Sequence, residues 1–301
     1  MEQKKTELSI LIPVYNTVCV NFVRQLQQQA ELTGIDYEII VADDASSLQH
    51  CVEENRQIGK LPHCQYLMKE TNTGAAATRN FLAQQSRYQW LLFLDCDMQL
   101  PNEQFITRYL ASLTAPVING GLSIGGDTKL LRSNLRYRYE KAEETNHTPQ
   151  RRQQRPYQSF RSTNFLIRRD VMLNNPFDER FRRSGYEDVF FGKQLRQHQV
   201  AITHIDNPLL MTDYETNADY VSKMERSLHT LHQFRQELRG YSRLLTLADG
   251  IHIGVVRRFL AFLHRILAPM ERRNLCGNHP NLTLFKLYRL GYYLNILYKA
   301  E

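Results

Sequence analysis

The apolar run Leu8-Ser-Ile-Leu-Ile-Pro-Val14 is short, rich in β-branched residues and halted by Tyr15-Asn16, which predicts a buried strand. From Asn21 to Leu32 the positions Phe22, Val23, Leu26 and Ala30 fall on one side of a helix that Gly34 closes. A second strand, Tyr37-Glu-Ile-Ile-Val-Ala42, ends in Asp43-Asp44-Ala-Ser-Ser47. A polar helix, a short strand near Cys64 to Met68 and a helix from Thr73 to Gln85 follow. The last of these starts on small residues, Gly74-Ala-Ala-Ala77. Trp90-Leu-Leu-Phe-Leu94 is a third strong strand, stopped by Asp95-Cys-Asp97.

Strands alternating with helices at this spacing predict βαβ units and a mostly parallel α/β sheet flanked by helices. Tyr15, Asp43 and Asp95 each stand just past the carboxyl end of a different strand, the edge at which open α/β sheets bind ligands. From Leu130 to about Arg155 the pattern turns from helical to strongly polar, and a mobile or inserted segment is expected there. Ser162-Thr-Asn-Phe-Leu-Ile167 reads as a strand, Ser184-Gly-Tyr-Glu-Asp188 opens a helix to about Gln197, and Ala201-Ile-Thr-His-Ile205 reads as the last strand. Residues 220–301 read as helical. Between Ile251 and Met270 an apolar side (Val255, Val256, Phe259, Leu260, Leu263, Ile266, Leu267, Met270) opposes Arg257, Ala261, His264 and Arg265. Leu282 to Tyr298 is apolar nearly all round and should be buried or packed against a partner. The expected division is a sheet domain over 1–218 and a basic helical region over 219–301.

Composition narrows the picture. At 42% hydrophobic and 23% charged residues, wholesale disorder is excluded. No apolar run is long enough to span a membrane, and no secretory h-region precedes the first strand. Five widely spaced cysteines without a C-x-x-C pair argue against a disulfide framework or a zinc site and suit a reducing cytoplasm. The formal charge of +7 is concentrated from Tyr220 onward, where 13 Lys and Arg face 5 Asp and Glu. These basic residues alternate with Leu and Ile and carry no nucleic-acid module, so nucleic acid is not expected as a partner. Instead the amphipathic stretch predicts peripheral contact with anionic lipid through 251–298, at the inner face of the membrane. Packing on the rest of the chain, or a homodimer contact, is the competing reading.

Several motifs carry chemistry. Asp95-Cys-Asp97 supplies two hard oxygen ligands of the kind that hold Mg²⁺ or Mn²⁺ together with phosphate oxygens; the competing reading is an Asp-rich turn. Of Asp43 and Asp44, Asp43 is favoured as a contact to a base or ribose, and a helix cap is expected to occupy the other. Gly74 at a helix start with Arg79 one and a half turns in suits an anionic group. Neither G-x-G-x-x-G nor a P-loop is present, which demotes dehydrogenases and NTPases. Glu187 and Asp188 at a helix start would stay ionised, although Ser184-x-x-Glu187 also fits a capping box.

Ser9-Ile-Leu-Ile-Pro-Val-Tyr-Asn16, Val41-Ala-Asp-Asp-Ala-Ser46, Asn72-Thr-Gly74 with Thr78-Arg-Asn80, Phe93-Leu-Asp-Cys-Asp97 and Gly185-Tyr-Glu-Asp188 stand in an order that resembles family 2 glycosyltransferases. The resemblance covers roughly residues 7–215. It implies a GT-A fold and an inverting, metal-dependent transfer from a nucleotide sugar, usually UDP-linked, to a glycan or lipid-linked acceptor. Pro13, Tyr15, Asp43 and Arg79 would then line the nucleotide pocket, Asp95 would lie near ribose and metal, and Asp97 would ligate Mn²⁺ or Mg²⁺. Asp188 would be the base, with Glu187 beside it. Leu131-Arg132, Tyr139-Glu140 and Ser162-Thr-Asn164 resemble the family's acceptor-side segments. One departure stands out: no His follows Asn207-Pro208, so His204 or Asp213 would have to complete the metal site. That gap keeps a catalytically weak or inactive nucleotide- or glycan-binding module as the alternative.

Overall fold

The computed structural model describes residues 6–182 and 185–299. The strands run in chain order as β1 (Glu7–Val14), β2 (Asp36–Asp43), β3 (Cys64–Met68), β4 (Trp90–Leu94), β5 (Val117–Asn119), β6 (Leu122–Ile124), β7 (Asn164–Arg168), β8 (Ile202–His204) and β9 (Leu209–Met211). The helices of the first two-thirds are α1 (Val20–Thr33), α2 (Gln49–Asn55), α3 (Ala75–Gln85), α4 (Phe105–Leu110), α5 (Leu135–Glu143), α6 (Pro149–Gln154), α7 (Arg169–Asn174) and α8 (Glu187–Gln197). Then come α9 (Asn217–Gln233), α10 (Arg243–Gly250), α11 (Gly254–Leu275) and α12 (Leu282–Lys299). The chain divides into two compact units, one of Met1–Gly125, Asn146–Arg182 and Phe191–Thr212, the other of Gly126–Thr145, Arg183–Phe190 and Asp213–Glu301.

The first unit is built on a seven-stranded sheet of order β3-β2-β1-β4-β7-β5-β8. Its pairs are parallel except where β7 lies antiparallel to β4 and β5, so the expected mostly parallel α/β sheet is what forms. Leu8, Ile10, Leu11 and Ile12 of β1 are wholly buried, as a near-continuous apolar strand covered on both faces must be. Asp44 N–H donates to Val14 O (2.9 Å), so Pro13, one residue earlier, turns its missing N–H toward β4. Pairing with β4 has already stopped at Leu11↔Phe93, so the proline costs no rung. Between β1 and β4 the strand order reverses. One face packs a phenylalanine core in which Phe177 and Phe191 stack at 4.0 Å and Phe93 and Phe165 at 4.9 Å.

One expectation is corrected in this unit. Strand β8 is not the last, because β9 follows it and pairs with β6, and Gln99 bridges to Leu210. The stretch expected to be mobile or inserted is inserted, Gly126–Thr145 belonging to the second unit between parts of the first, and its polar end folds into α6. Thr148 accepts from Arg151 N–H and Pro149 opens the helix, an N-cap and N1 pair that starts α6. The helix then buries Arg152, whose guanidinium donates to the carbonyls of His147, Asn119, Gly120 and Ile205. Around it the asparagines close a network. Asn164 accepts from Tyr109 O–H (2.6 Å) and donates to the carbonyls of Gly121 (2.9 Å) and Asn207 (2.8 Å).

In the second unit α12 packs on α9, α10 and α11, burying Phe285, Tyr288, Tyr293 and Leu294, as its nearly all-apolar sequence predicted. Glu225 on α9 accepts from Arg272 and from Tyr288 O–H (2.6 Å). Asn217 clasps the unit, donating to Ser133 O and Gly277 O (2.8 Å each) and accepting from Leu135 N–H (2.7 Å). Helix α11 departs from its sequence pattern: Ala261, His264 and Leu275 are buried with Leu260 and Leu267 half-buried, while Phe259, Phe262, Ile266 and Met270 are exposed. Among the described residues no helix is long and apolar enough to cross a membrane.

Gly120 is the tightest point of the asparagine network. A Cβ there would lie 2.4 Å from Tyr109 Oη and 2.5 Å from both Asn164 Nδ2 and Asn207 O. Gly120→Ala is predicted to cost about 3 kcal/mol in urea unfolding. Gly250→Ala, whose Cβ would meet nothing within 4 Å, should stay within about 0.5 kcal/mol of the parent.

Candidate functional site

The carboxyl ends of β1, β2 and β4 form one rim, and the loops on it are tied to one another. Asn16 sits at φ 53°, a left-handed position that asparagine tolerates. Its Oδ1 accepts from Ser47 N–H (2.8 Å) and Leu48 N–H (2.9 Å), and its own N–H donates to Ser46 Oγ (2.7 Å). This one side chain therefore holds the turn after β1 against the loop before α2, leaving the neighbouring Tyr15 exposed on the rim. A short polar residue just past a strand end is the sequence signal for such a turn.

The two acids after β2 divide their work. Asp43 is fully buried; its Oδ1 accepts from Ser46 N–H (2.7 Å) and its Oδ2 from Tyr66 O–H. Burial, and then Asp43 itself, push the Tyr66 phenol above its usual range. Asp44 reaches the other way. It accepts from Lys69 Nζ (2.7 Å), Thr73 N–H (3.0 Å) and Gly74 N–H (2.8 Å). Burial opposes its charge, but Lys69 and those N–H groups outweigh it and hold the carboxyl below the ordinary range. Two donors at the start of α3, expected to meet a ligand anion, are thus taken by an internal carboxylate. Gly74 is at φ 89°, and the place of its absent Cβ is filled by Arg182 O at 2.6 Å.

Arg79, one turn into α3, is 3% exposed and donates from Nη2 to Asp95 Oδ1 at 2.7 Å. Its guanidinium carbon lies 5.6 Å from the Phe177 ring centroid. The Nε and Nη1 donors are buried without a protein partner, a shortfall that native structures rarely leave unless something else binds. Asn80 fixes the facing loop, donating to Phe177 O (2.9 Å) and Glu179 Oε1 (2.9 Å) and accepting from Phe177 N–H (2.8 Å). Asp95 follows β4, so it and Tyr15 stand astride the point where strand order reverses, the location favoured for ligands in open α/β sheets. Asp97 is exposed two residues on, and Gln99 then pairs with Leu210 on β9 (2.9 Å in both directions).

Among the described residues no group of three or more His, Cys, Asp or Glu is gathered to hold a metal ion. The donors at Asp95 and Asp97 fit an ion that needs one or two carboxylates and takes the rest of its sphere from phosphate and water. His204 does not add to them. It is 6% exposed, its Nδ1 meets Arg152 Nη1 (3.0 Å) and its Nε2 meets Pro156 O (2.9 Å), so both ring nitrogens are committed. Since Arg152 can only donate and Pro156 O only accept, the ring is neutral with its proton on Nε2. Burial, reinforced by Arg152, brings His204 down to about 4. Burial likewise brings Arg152 down to about 10. Asp213 lies exposed just after β9.

Glu187 and Asp188 belong to the second unit, at the first turn of α8. Gly185 (φ 111°) and Tyr186 (φ 69°) bring the chain into the helix through two left-handed residues, and a Cβ on Gly185 would lie 2.9 Å from Ser227 Cβ. Glu187 Oε2 accepts from Gly185 N–H (2.9 Å), and Asp188 Oδ1 from Val189 N–H (2.7 Å). Both carboxylates are half-buried and stand at the N-terminal, positive end of the α8 dipole. Ser184 of the expected capping box lies outside the described residues. Of the acceptor-side segments, Asn164 and Ser162 are buried, Asn164 as the centre of the asparagine network in the first unit; Tyr139 and Glu140 lie on α5 in the second.

A family model described as Glycosyl transferase family 2 matches residues 9–174. The chain is 36% identical over 90 residues to an uncharacterized glycosyltransferase of Haemophilus influenzae, covering 30% of this chain and 29% of that one. It is 33% identical over 107 residues to the chondroitin synthase of Escherichia coli, covering 35% and 15%. With the hyaluronan synthase of Pasteurella multocida the identity is 24% over 241 residues, covering 68% and 24%. The matches therefore span less than a third of each of these relatives. Among solved structures, residues 1–349 of S. aureus TarS align at a TM-score of 0.49 and 15% identity, over 98% of this chain and 92% of that one.

The neutral His204 makes stability depend on pH in a stated direction. Between about 6.5 and 4 the unfolded chain binds a proton that the folded chain refuses, so stability falls as pH drops through that window, by roughly 3 kcal/mol at the limit. Urea melts at pH 7 and pH 4.5 should show the loss, and His204→Gln should flatten that segment of the profile.

Proposed function

Because the chain belongs to glycosyl transferase family 2, we propose that it moves a sugar from a nucleoside diphosphate sugar, UDP-linked, to a hydroxyl of a glycan or lipid-linked acceptor, with inversion at the anomeric carbon. The observation that carries this reading is Arg79. It is a buried guanidinium that anchors Asp95 and has two unpartnered N–H donors, placed behind the strand switch point. A base or ribose phosphate at this rim would supply the missing acceptors. Tyr15 offers an exposed ring for stacking, and Asp43, bound to Ser46 N–H and Tyr66 O–H, would fix the backbone on which the nucleotide rests.

In the proposed reaction Asp188 accepts the proton of the acceptor hydroxyl as its oxygen attacks the anomeric carbon from the side opposite the diphosphate. Glu187, tied to Gly185, orients the acceptor beside it. Asp97, with Asp95, would hold Mg²⁺ or Mn²⁺, which when bound would offset charge on the departing diphosphate. With only two carboxylates at hand, the ion should bind well only together with the nucleotide.

Screening nucleotide sugars for release of nucleoside diphosphate, with and without candidate glycans, tests the assignment; no release from any donor would refute it. Asp188→Asn should lower kcat by about 10²–10⁴-fold while nucleotide affinity by calorimetry stays unchanged. Equal losses in both would remove Asp188 from the base role. Asp97→Ala should abolish the gain in nucleotide affinity that Mn²⁺ provides, and an undiminished gain would count against Asp97 as its ligand.

A further inference from the structure

Helix α11 leaves much of its apolar surface in water. Its inward side holds Ala261 and His264, each 5% exposed, and fully buried Leu275, with Leu260 and Leu267 half-buried. Gly291 on α12 lies so close that a Cβ there would stand 2.7 Å from His264 Cβ. His264 Nδ1 meets Glu271 Oε2 at 2.8 Å, and its ring packs edge-on to Tyr288 at 5.0 Å. Small residues and a satisfied polar pair therefore fix the helix's rotation, and it cannot roll its apolar side inward without losing both. What it leaves in water is one stripe at three- and four-residue spacings: Val255 (76% exposed), Phe259 (59%), Phe262 (59%), Ile266 (57%) and Met270 (72%). Large exposed apolar stripes mark contact surfaces.

We infer that this face of α11 lies on an anionic lipid surface, with the stripe seated among the acyl chains and arginines at its edge meeting the headgroups. Charge selects the occupant. Arg258 and Arg265 flank the stripe on one side and Arg273 stands at its C-terminal end, all three exposed. Arg258 lies over the Tyr298 ring and Arg265 donates to Asn295, neither of which neutralises it. Glu271, the acid on this helix, is turned toward His264. A second copy packed antiparallel on the same face would set arginine against arginine, whereas an anionic bilayer complements them. A helix of 22 residues with apolar residues on one arc and arginines at its margin has the form of an interfacial helix. The inference stands apart from the glycosyl-transfer reading and does not need it.

Co-sedimentation of the full chain with phosphatidylglycerol-containing vesicles at low salt tests it. Binding is expected there and not with phosphatidylcholine alone, weakening as salt rises. Arg258→Gln with Arg265→Gln should cost roughly 30-fold in partitioning, and Phe259→Ser with Phe262→Ser on the order of 100-fold. Both pairs lie on the exposed face, so circular dichroism and melting temperature should match the parent. As a second readout, Phe262→Trp should shift its emission to the blue on adding vesicles, against the parent's single tryptophan, Trp90. Absence of binding to anionic vesicles at low salt would overturn the inference. So would a solution dimer that Phe259→Ser with Phe262→Ser dissociates, because the occupant would then be a second copy.

Discussion

The rim of the sheet depends on a buried negative charge. Asp44 lies out of water at the end of β2 and is tolerable there only because Lys69 and the first N–H groups of the Thr73–Gly74 turn converge on it. That convergence is what brings the start of α3 to the carboxyl end of β2. Once α3 starts there, Arg79 one turn later is delivered to Asp95 at the end of β4. The loop bearing Arg182 then closes over the glycine that has no side chain to hold it off. Asp44 touches no proposed substrate, yet it decides where the groups that would touch one stand.

A second buried charge is treated differently. Among the described residues Arg152 has no carboxylate as a hydrogen-bond partner; it is solvated by backbone carbonyls, Asn119 Oδ1 and the neutral His204. Carbonyl dipoles can replace water around a guanidinium because its donors fan out in a plane and each finds its own acceptor. The result cross-links α6, the end of β5 and the end of β8, segments far apart in the chain. It also commits both ring nitrogens of His204.

The candidate site is chemically divided in the same spirit. Asp43 and Asp44 are adjacent in sequence and near-identical in chemistry, but alternate sides of the strand end send one to Tyr66 and Ser46 and the other to Lys69 and Gly74. Arg79 and Asp95 form a partly exposed pair whose remaining donors are unmet, which is a poor way to stabilise a fold and a good way to prepare for an anionic ligand.

Much was legible from the chain alone, for local reasons. Strands β1, β2, β3 and β4 and helices α1 and α3 follow from apolar period, β-branching and turn chemistry, and these signals lie within each segment. The polar residues at strand ends were legible for the same reason, and with them the block order that marks the family. The tertiary structure alone decided the rest. Three-residue strands such as β5 and β6 carry too few positions to show a period, and they exist because neighbours pair with them. The polar run ending at Arg155 looked like a solvated loop because no sequence pattern announces that an arginine will be wrapped in carbonyls. Helix α11 shows the limit most plainly: its period revealed two faces, but which face turned inward depended on Gly291 and Tyr288 of another helix, and a side chain's burial is set by what arrives opposite it.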